Sequence, residues 1–154
     1  VSEIHPFKSE IYQLLEEKLR LKMAQLERDL RGISESKEGD SKSSAGDKFE
    51  TSREMLAQEE RQLMQQLTEL RNKEIMLLRL KQSNVSSETI QAGSLIKLGE
   101  NWIFIGIPEG ALITSTSKVM CISADAPLFT LLKGKRVGET VPQAQNSLSI
   151  EQVL

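Results

Sequence analysis

YQLLEEKLRLKMAQLERDLRGI at 12–33 and FETSREMLAQEERQLMQQLTELRNKEIML at 49–77 decide the fold. In the first stretch the apolar series is Tyr12, Leu19, Met23, Leu26, Leu30 and Ile33. In the second it is Phe49, Leu56, Leu63, Leu67, Leu70 and Leu77. Both series recur every seven positions with additional members three or four away, which lays a seam along one side of a helix. The outer positions carry Glu, Gln, Arg and Lys, as a solvated helix requires. Two such helices joined by a turn make an antiparallel hairpin. The mirror pairs Ile33/Phe49, Leu26/Leu56, Leu19/Leu63 and Tyr12/Leu70 centre near residue 41. A slip by one turn stays open, because antiparallel coils also pair the two seam positions crosswise. Each arm has roughly 25–30 residues and so measures on the order of 40 Å, which holds the tip away from the hairpin's base.

Outward from the seams the chain changes character twice. Ser9 and Glu10 read as an N-cap followed by acid, so the first helix is expected from Glu10 to Ser34, with Gly32 weakening its last turn. ESKEGDSKSSAG at 35–46 reads as a polar tip loop. The second helix is expected from Asp47 to Lys81, and SNVSSET within 83–92 as a linker. Strand signals begin at Gly93: SLIKL (94–98), a turn at 99–101, WIFIGI (102–107), a break at Pro108-Glu109-Gly110, then ALITSTS (111–117) and KVMCIS (118–123) as a hairpin. PLFTLLK (127–133) reads as a short helix with Pro at its first position and Gly134 at its end. Val141 and LSIEQVL supply one or two closing strands. The expected class is α+β: an antiparallel coiled-coil hairpin over 1–82 with its tip near 35–50, a linker at 83–92, and a small α+β domain over 93–154 with a marginal core.

Bulk properties remove several function classes. The 154 residues carry a net charge of -2, so no global basic field points to nucleic acid. Arg20, Lys22, Arg28 and Arg31 are interleaved with Glu16, Glu17, Glu27 and Asp29 and read as a solvated face. The single cysteine, Cys121, reads as a small buried hydrophobe and fits a cytoplasmic setting. The single histidine, His5, reads as a solvated residue ahead of the first helix. One His and one Cys argue against a protein-only zinc site and against a Ser-His-Asp or Cys-His nucleophile. No membrane segment or signal core is expected. Trp102, Phe104 and Phe129 are expected in the small core.

The tip holds the candidate chemistry: Gly46-Asp47-Lys48-Phe49-Glu50, with two carboxylates three apart. One reading is a capping box at the start of the second helix. The other is a pair of hard oxygen ligands for Mg²⁺, which takes one or two protein carboxylates and fills its shell with water and phosphate oxygens from a partner.

The chain resembles the Gre transcript-cleavage factor family (GreA/GreB-like) over most of its length. The tip Gly46-Asp47-x-x-Glu50 is similar to that family's Gly-Asp-x-x-Glu. Ile122-Ser123-Ala124-Asp125-Ala126-Pro127-Leu128, Leu132-Lys133-Gly134-Lys135 and Gly138-Glu139-x-Val141 are similar to its C-terminal run. Thr51-Ser52-Arg53-Glu54 replaces the usual Asn-Ala-Glu-Tyr, and Glu38 and Asp40 add acids near the tip, marking a divergent subgroup.

The resemblance implies an FKBP-like second domain docking on RNA polymerase and a hairpin entering the secondary channel. Asp47 and Glu50 would there help hold a catalytic Mg²⁺ shared with the polymerase, with none bound to the free protein. Asp125 and Pro127 would lie on the docking loop, where Asp125 also reads as a cap for the short helix. The chain would be a cytoplasmic monomer that stimulates RNA polymerase on nascent RNA, not an enzyme in its own right. A non-cleaving homologue that inhibits or regulates polymerase, and a structural coiled-coil dimer, stay open. The dimer reading draws on Leu14, Leu15, Leu21, Leu78 and Leu80, which fall outside the strict seam.

Overall fold

The computed structural model describes residues 4–42 and 47–154; within the helices, the side chains of 40–42 and 47–49 also lie outside the described residues. The class is α+β. Two long helices, α1 (Pro6–Lys42) and α2 (Asp47–Gln82), precede β1 (Leu95–Leu98), β2 (Asn101–Ile105), β3 (Gly110–Ile113), β4 (Lys118–Ile122), a short α3 (Pro127–Leu132), β5 (Thr140–Gln143) and β6 (Asn146–Val153). The chain divides into two compact units: the start of α1 through Glu16 together with Ile75–Leu154, and Glu17–Glu74. The division falls inside the helices rather than at 83–92, so the sheet keeps the ends of both helices for itself.

In the two-helix unit, Leu26, Ile33, Leu67 and Leu70 are buried, and Met23, Leu30, Leu56 and Leu63 are half-buried. These are seam positions. Phe49, the first expected member of the second seam, has its side chain outside the described residues.

The expected register is corrected. Lys37 forms an ion pair with Glu60, and in the other unit Glu16 forms one with Lys81. Both pairs are symmetric about a point between residues 48 and 49 rather than 41. A mirror about that point brings Leu26 level with Arg71, next to Leu70, instead of with Leu56. The physical reason is that a heptad pattern is self-similar: a slide of two repeats returns every seam residue to the seam.

Two helix ends also differ from expectation. α1 continues through 35–42, much of the stretch read as a tip loop. Its Glu and Lys residues are good helix formers, Ser36 Oγ–H donates to the Gly32 carbonyl at 3.0 Å, and Lys37 is tied to Glu60. The remainder of that loop, 43–46, lies outside the described residues. At the other end α1 starts at Pro6, so Ser9 is inside the helix and His5 caps it. The Phe7 N–H donates to His5 Nδ1 at 3.1 Å, and the Ser9 N–H to the His5 carbonyl at 3.0 Å. Proline fits the first helical position because its missing N–H has no intrahelical partner there.

The sheet runs β3-β4-β2-β1-β6-β5. Only β2 and β4 pair in parallel; the other neighbours are antiparallel. Strand alternation gives it two apolar faces. Ile96, Leu98, Ile103, Ile105, Ile150 and Val153 build one core with Phe129 and Leu132 of α3, Ile90 and Val141. Leu95, Phe104, Val119 and Cys121 are also buried and belong to the opposite face, where Leu95 faces Phe104 and Phe104 faces Cys121 in register.

The start of α1 covers that second face. Tyr12 meets Phe104 edge-on at 5.6 Å and Phe7 meets Trp102 at 4.9 Å between ring centroids. Ile11 and Leu15 are fully buried beside them in the sequence, which places Leu15 in the core although it lies outside the heptad seam. Glu10 accepts hydrogen bonds from the Ser115 N–H and, at 2.9 Å, from its Oγ–H, tying α1 to the β3–β4 turn.

The end of α2 is fixed in the same unit by Leu80. A Cβ at Gly106 would lie 2.5 Å from Leu80 Cδ1, and Gly106 has φ +139°, so only glycine lets that side chain settle on the sheet. Beyond α2, the Ile90 N–H donates to the Lys135 carbonyl at 2.9 Å and the Gly134 N–H to the Ile90 carbonyl at 2.8 Å. The expected linker is thus sewn into the core from residue 90.

Candidate functional site

The acidic end of α2 is the first candidate. Asp47 is the first residue of the helix and Glu50 lies in its first turn. The Asp47 side chain is outside the described residues, and with it the reading as a capping box. Glu50 is exposed, and its carboxylate takes no protein partner among the described residues. Acid in this position suits the partial positive charge of a helix N-terminus. It also suits a hard cation whose remaining ligands come from water or a partner, since an exposed carboxylate keeps its lone pairs available. Among the described residues no three His, Cys, Asp or Glu side chains converge on one point.

The second candidate is the loop leading to α3. Asp125 and Pro127 are both exposed. The Asp125 N–H donates to Ser123 Oγ at 3.0 Å and the Ala126 N–H to the Ser123 carbonyl at 3.1 Å, so Ser123 organises the turn. The sequence led us to expect Asp125 as the cap of α3, and that expectation is corrected. Ala126 is the N-cap, with φ -66° and ψ 141°, and no side chain closes the helix start. A residue before proline is driven to this extended conformation, which moves the helix boundary one position past Asp125. The Asp125 carboxylate is left facing solvent without a protein partner among the described residues.

The longer C-terminal motif has mostly structural work. Leu132 and Val141 are in the core, and Gly134 and Gly138 both take positive φ. Gly134 comes right after Lys133, the C-cap of α3, where a left-handed residue closes a helix at no steric cost. Arg136 N–H donates to the Glu139 carboxylate at 2.7 Å, and the Gly138 N–H donates to the Ile150 carbonyl at 2.9 Å. These residues turn the chain from α3 into β5, while Lys133 and Arg136 stay exposed.

A third site went unread in the sequence. Lys8 is 6% exposed, yet it belongs to the first turns of α1 beside Phe7, Ile11 and Tyr12. It lines a cavity of about 650 Å³ with Tyr12, Leu80, Ser83, Val85 and Ser87. Burial lowers its ammonium to about 8 and raises the Tyr12 phenol above its ordinary value. The available signal was positional: Lys8, Ile11, Tyr12, Leu15 and Leu19 form one i, i+3, i+4, i+7 stripe, with a lysine in an apolar place.

Comparison with protein-family models gave no match, and comparison with curated proteins gave none.

Proposed function

We propose that this chain is a Gre-like transcription elongation factor, with α1 and α2 as an antiparallel coiled-coil hairpin that enters the RNA polymerase secondary channel, followed by an FKBP-like domain. The observation that carries the reading is the exposed carboxylate of Glu50, without a partner among the described residues, at the start of a 36-residue helix. A turn led by exposed Asp125 and Pro127 in the sheet-bearing unit supports it as the docking loop.

In this reading Asp47 and Glu50 approach the polymerase active site and lend carboxylate oxygens to a Mg²⁺ whose other ligands belong to the polymerase. When bound, that ion supplies the activated water for hydrolysis of backtracked nascent RNA. Asp47 and Glu50 would help hold that ion, balance part of its positive charge and orient the water. The chain therefore stimulates a reaction of its partner and needs no complete active site of its own. It would act as a monomer, in the cytoplasm and away from membranes.

Transcript cleavage by halted elongation complexes tests this. Asp47→Ala and Glu50→Ala are each expected to lower stimulation about 10–100-fold while binding to core polymerase persists. Parental cleavage by both variants would remove the carboxylate role. Binding without cleavage by the parent chain would select the non-cleaving homologue.

The structural-dimer reading draws on Leu21 and Leu78, which stay 54% and 53% exposed. Sedimentation at micromolar concentration separates it: a stable dimer lost in Leu21→Glu or Leu78→Glu would favour that reading over polymerase binding.

A further inference from the structure

The turn that carries the chain from α3 into β5 sets three cations between two exposed aliphatic side chains. From Ala126 to Gly138 the charged residues are Lys133, Lys135 and Arg136, with no acid among them. Lys133 and Arg136 are exposed and Lys135 is half-buried. None of the three side chains forms an ion pair or a hydrogen bond among the described residues. The next acid along the chain, Glu139, uses a carboxylate oxygen to accept the Arg136 N–H at 2.7 Å. Leu131 precedes the cations and Val137 follows them, and these two are 45% and 55% exposed.

The main chain beneath these side chains is pinned. The Lys135 N–H donates to the Leu132 carbonyl at 3.0 Å, and its carbonyl accepts the Ile90 N–H. Leu132 itself is fully buried. The cations stand on a fixed base, so a partner need not order the turn in order to bind it. Their role is not to complement the helix dipole: Lys133 is the C-cap of α3, and Lys135 and Arg136 lie beyond the helix. Three kinds of occupant carry the complementary charge. A nucleic-acid backbone matches the cations but leaves Leu131 and Val137 uncovered. An anionic lipid surface covers both features, yet three cations and two aliphatic side chains are too few for stable attachment. An acidic protein segment with aliphatic side chains meets both, since interfaces combine an apolar centre with a polar rim.

We propose that Leu131, Lys133, Lys135, Arg136 and Val137 form a docking surface for an acidic segment of a protein partner. Asp or Glu side chains of that segment meet the three cations, and Leu, Ile or Val side chains cover Leu131 and Val137. The surface uses the opposite end of α3 from Asp125 and Pro127 and does not rest on the transcription reading.

A displayed library of random dodecapeptides, selected on the immobilised full chain, supplies the probe. Peptides rich in Asp and Glu with at least one Leu, Ile or Val are expected to be enriched. A synthetic copy of the most enriched peptide is then titrated against each variant by fluorescence anisotropy. Combined Lys133→Glu, Lys135→Glu and Arg136→Glu should weaken binding about tenfold or more, and the parent's affinity should fall as salt rises. Lys133→Arg with Lys135→Arg should keep it. Leu131→Ser with Val137→Ser should weaken it about three- to tenfold while leaving the salt dependence in place. The substituted positions are exposed or half-buried, and circular dichroism with a urea midpoint checks the fold of each variant. Failure to enrich acidic peptides, or affinity unchanged by either the charge reversals or the serine substitutions, overturns the surface. Tighter binding of oligouridylate RNA or of phosphatidylglycerol vesicles than of the peptide also overturns it, by assigning the cations to phosphate. A parent dimer in sedimentation that the charge reversals dissociate overturns it as well, by assigning the surface to a second copy of the chain.

Discussion

The sheet-bearing unit and the two-helix unit use the same apolar residue types under different constraints. In the sheet, Phe104 has a neighbour on each side in register, Leu95 and Cys121, and an aromatic edge from Tyr12 above it. Shifting any strand by one residue would send its whole apolar set to the other face. In the two-helix unit, Leu26 needs only another seam residue opposite it, and a slide of two heptads still provides one. The first unit is held by contacts that have no substitute. The second is held by contacts that its own repeat can replace. Their responses to mutation should differ accordingly.

The largest expected effect is at Phe104. It is fully buried where the sheet meets α1, so Phe104→Ala removes a large ring and leaves a cavity that the rigid strands cannot close. We expect a loss of about 3–5 kcal/mol in the unfolding free energy. Urea denaturation followed at Trp102, which contacts Phe7 of the same layer, measures it. A loss below about 1.5 kcal/mol, the range of a well-tolerated core swap, would mean that the sheet's second face is as adaptable as the seam.

The same contrast explains what could be read from residue order alone. The strands were legible because Ile96/Leu98 and Ile103/Ile105 alternate and because Pro108, Gly99 and Gly134 punctuate them. Pro127 fixed the start of α3, since proline at a first helical position leaves few alternatives. The helix register was not legible, because every heptad of Leu19 to Ile33 resembles the next. The end of α1 was hidden by composition: ESKEGDSK looks like a loop until Lys37 is paired with Glu60.

At the candidate sites, local sequence identified groups but not their surroundings. Glu50 and Asp125 could be picked out as acids, and the structure adds that both are exposed. The burial of Lys8 depends on Leu80, Val85 and Leu154, which lie far away in sequence and come together only in the fold.

Lys8 supplies the next effect, and it separates the units by pH. Its folded value of about 8 lies below the ordinary 10.5, so between these values the unfolded chain binds the extra proton. Stability must therefore rise with pH across that window, and the burial cost is present in full below it. The gain should be on the order of 1–2 kcal/mol once the solvent reaching the ammonium through the cavity is allowed for. The raised Tyr12 phenol acts in the opposite sense above pH 10, where the unfolded chain loses its proton first. Urea unfolding between pH 8 and about 10 is thus the clean range, with the slope present in the parent and absent in Lys8→Met. A parent curve as flat as that of Lys8→Met would show that the ammonium is as well solvated as a surface lysine.

The smallest effect tests the weakest constraint. Lys37 and Glu60 have side chains 37% and 42% exposed, so their ion pair contributes little to stability, and a double-mutant cycle with Lys37→Met and Glu60→Gln should give a coupling of about 0.3–0.5 kcal/mol. Its information lies in the partner rather than the size. With the helices centred near residue 41, Lys37 and Glu60 would be many turns apart and their coupling would vanish. With the observed pairing, coupling persists at low salt and fades as salt rises, because partly exposed charges are screened. A heptad seam accepts several registers at nearly equal apolar burial, so a few tenths of a kcal/mol from one charge pair can decide among them. That is the sense in which a weak surface contact carries more structural information here than a buried leucine does.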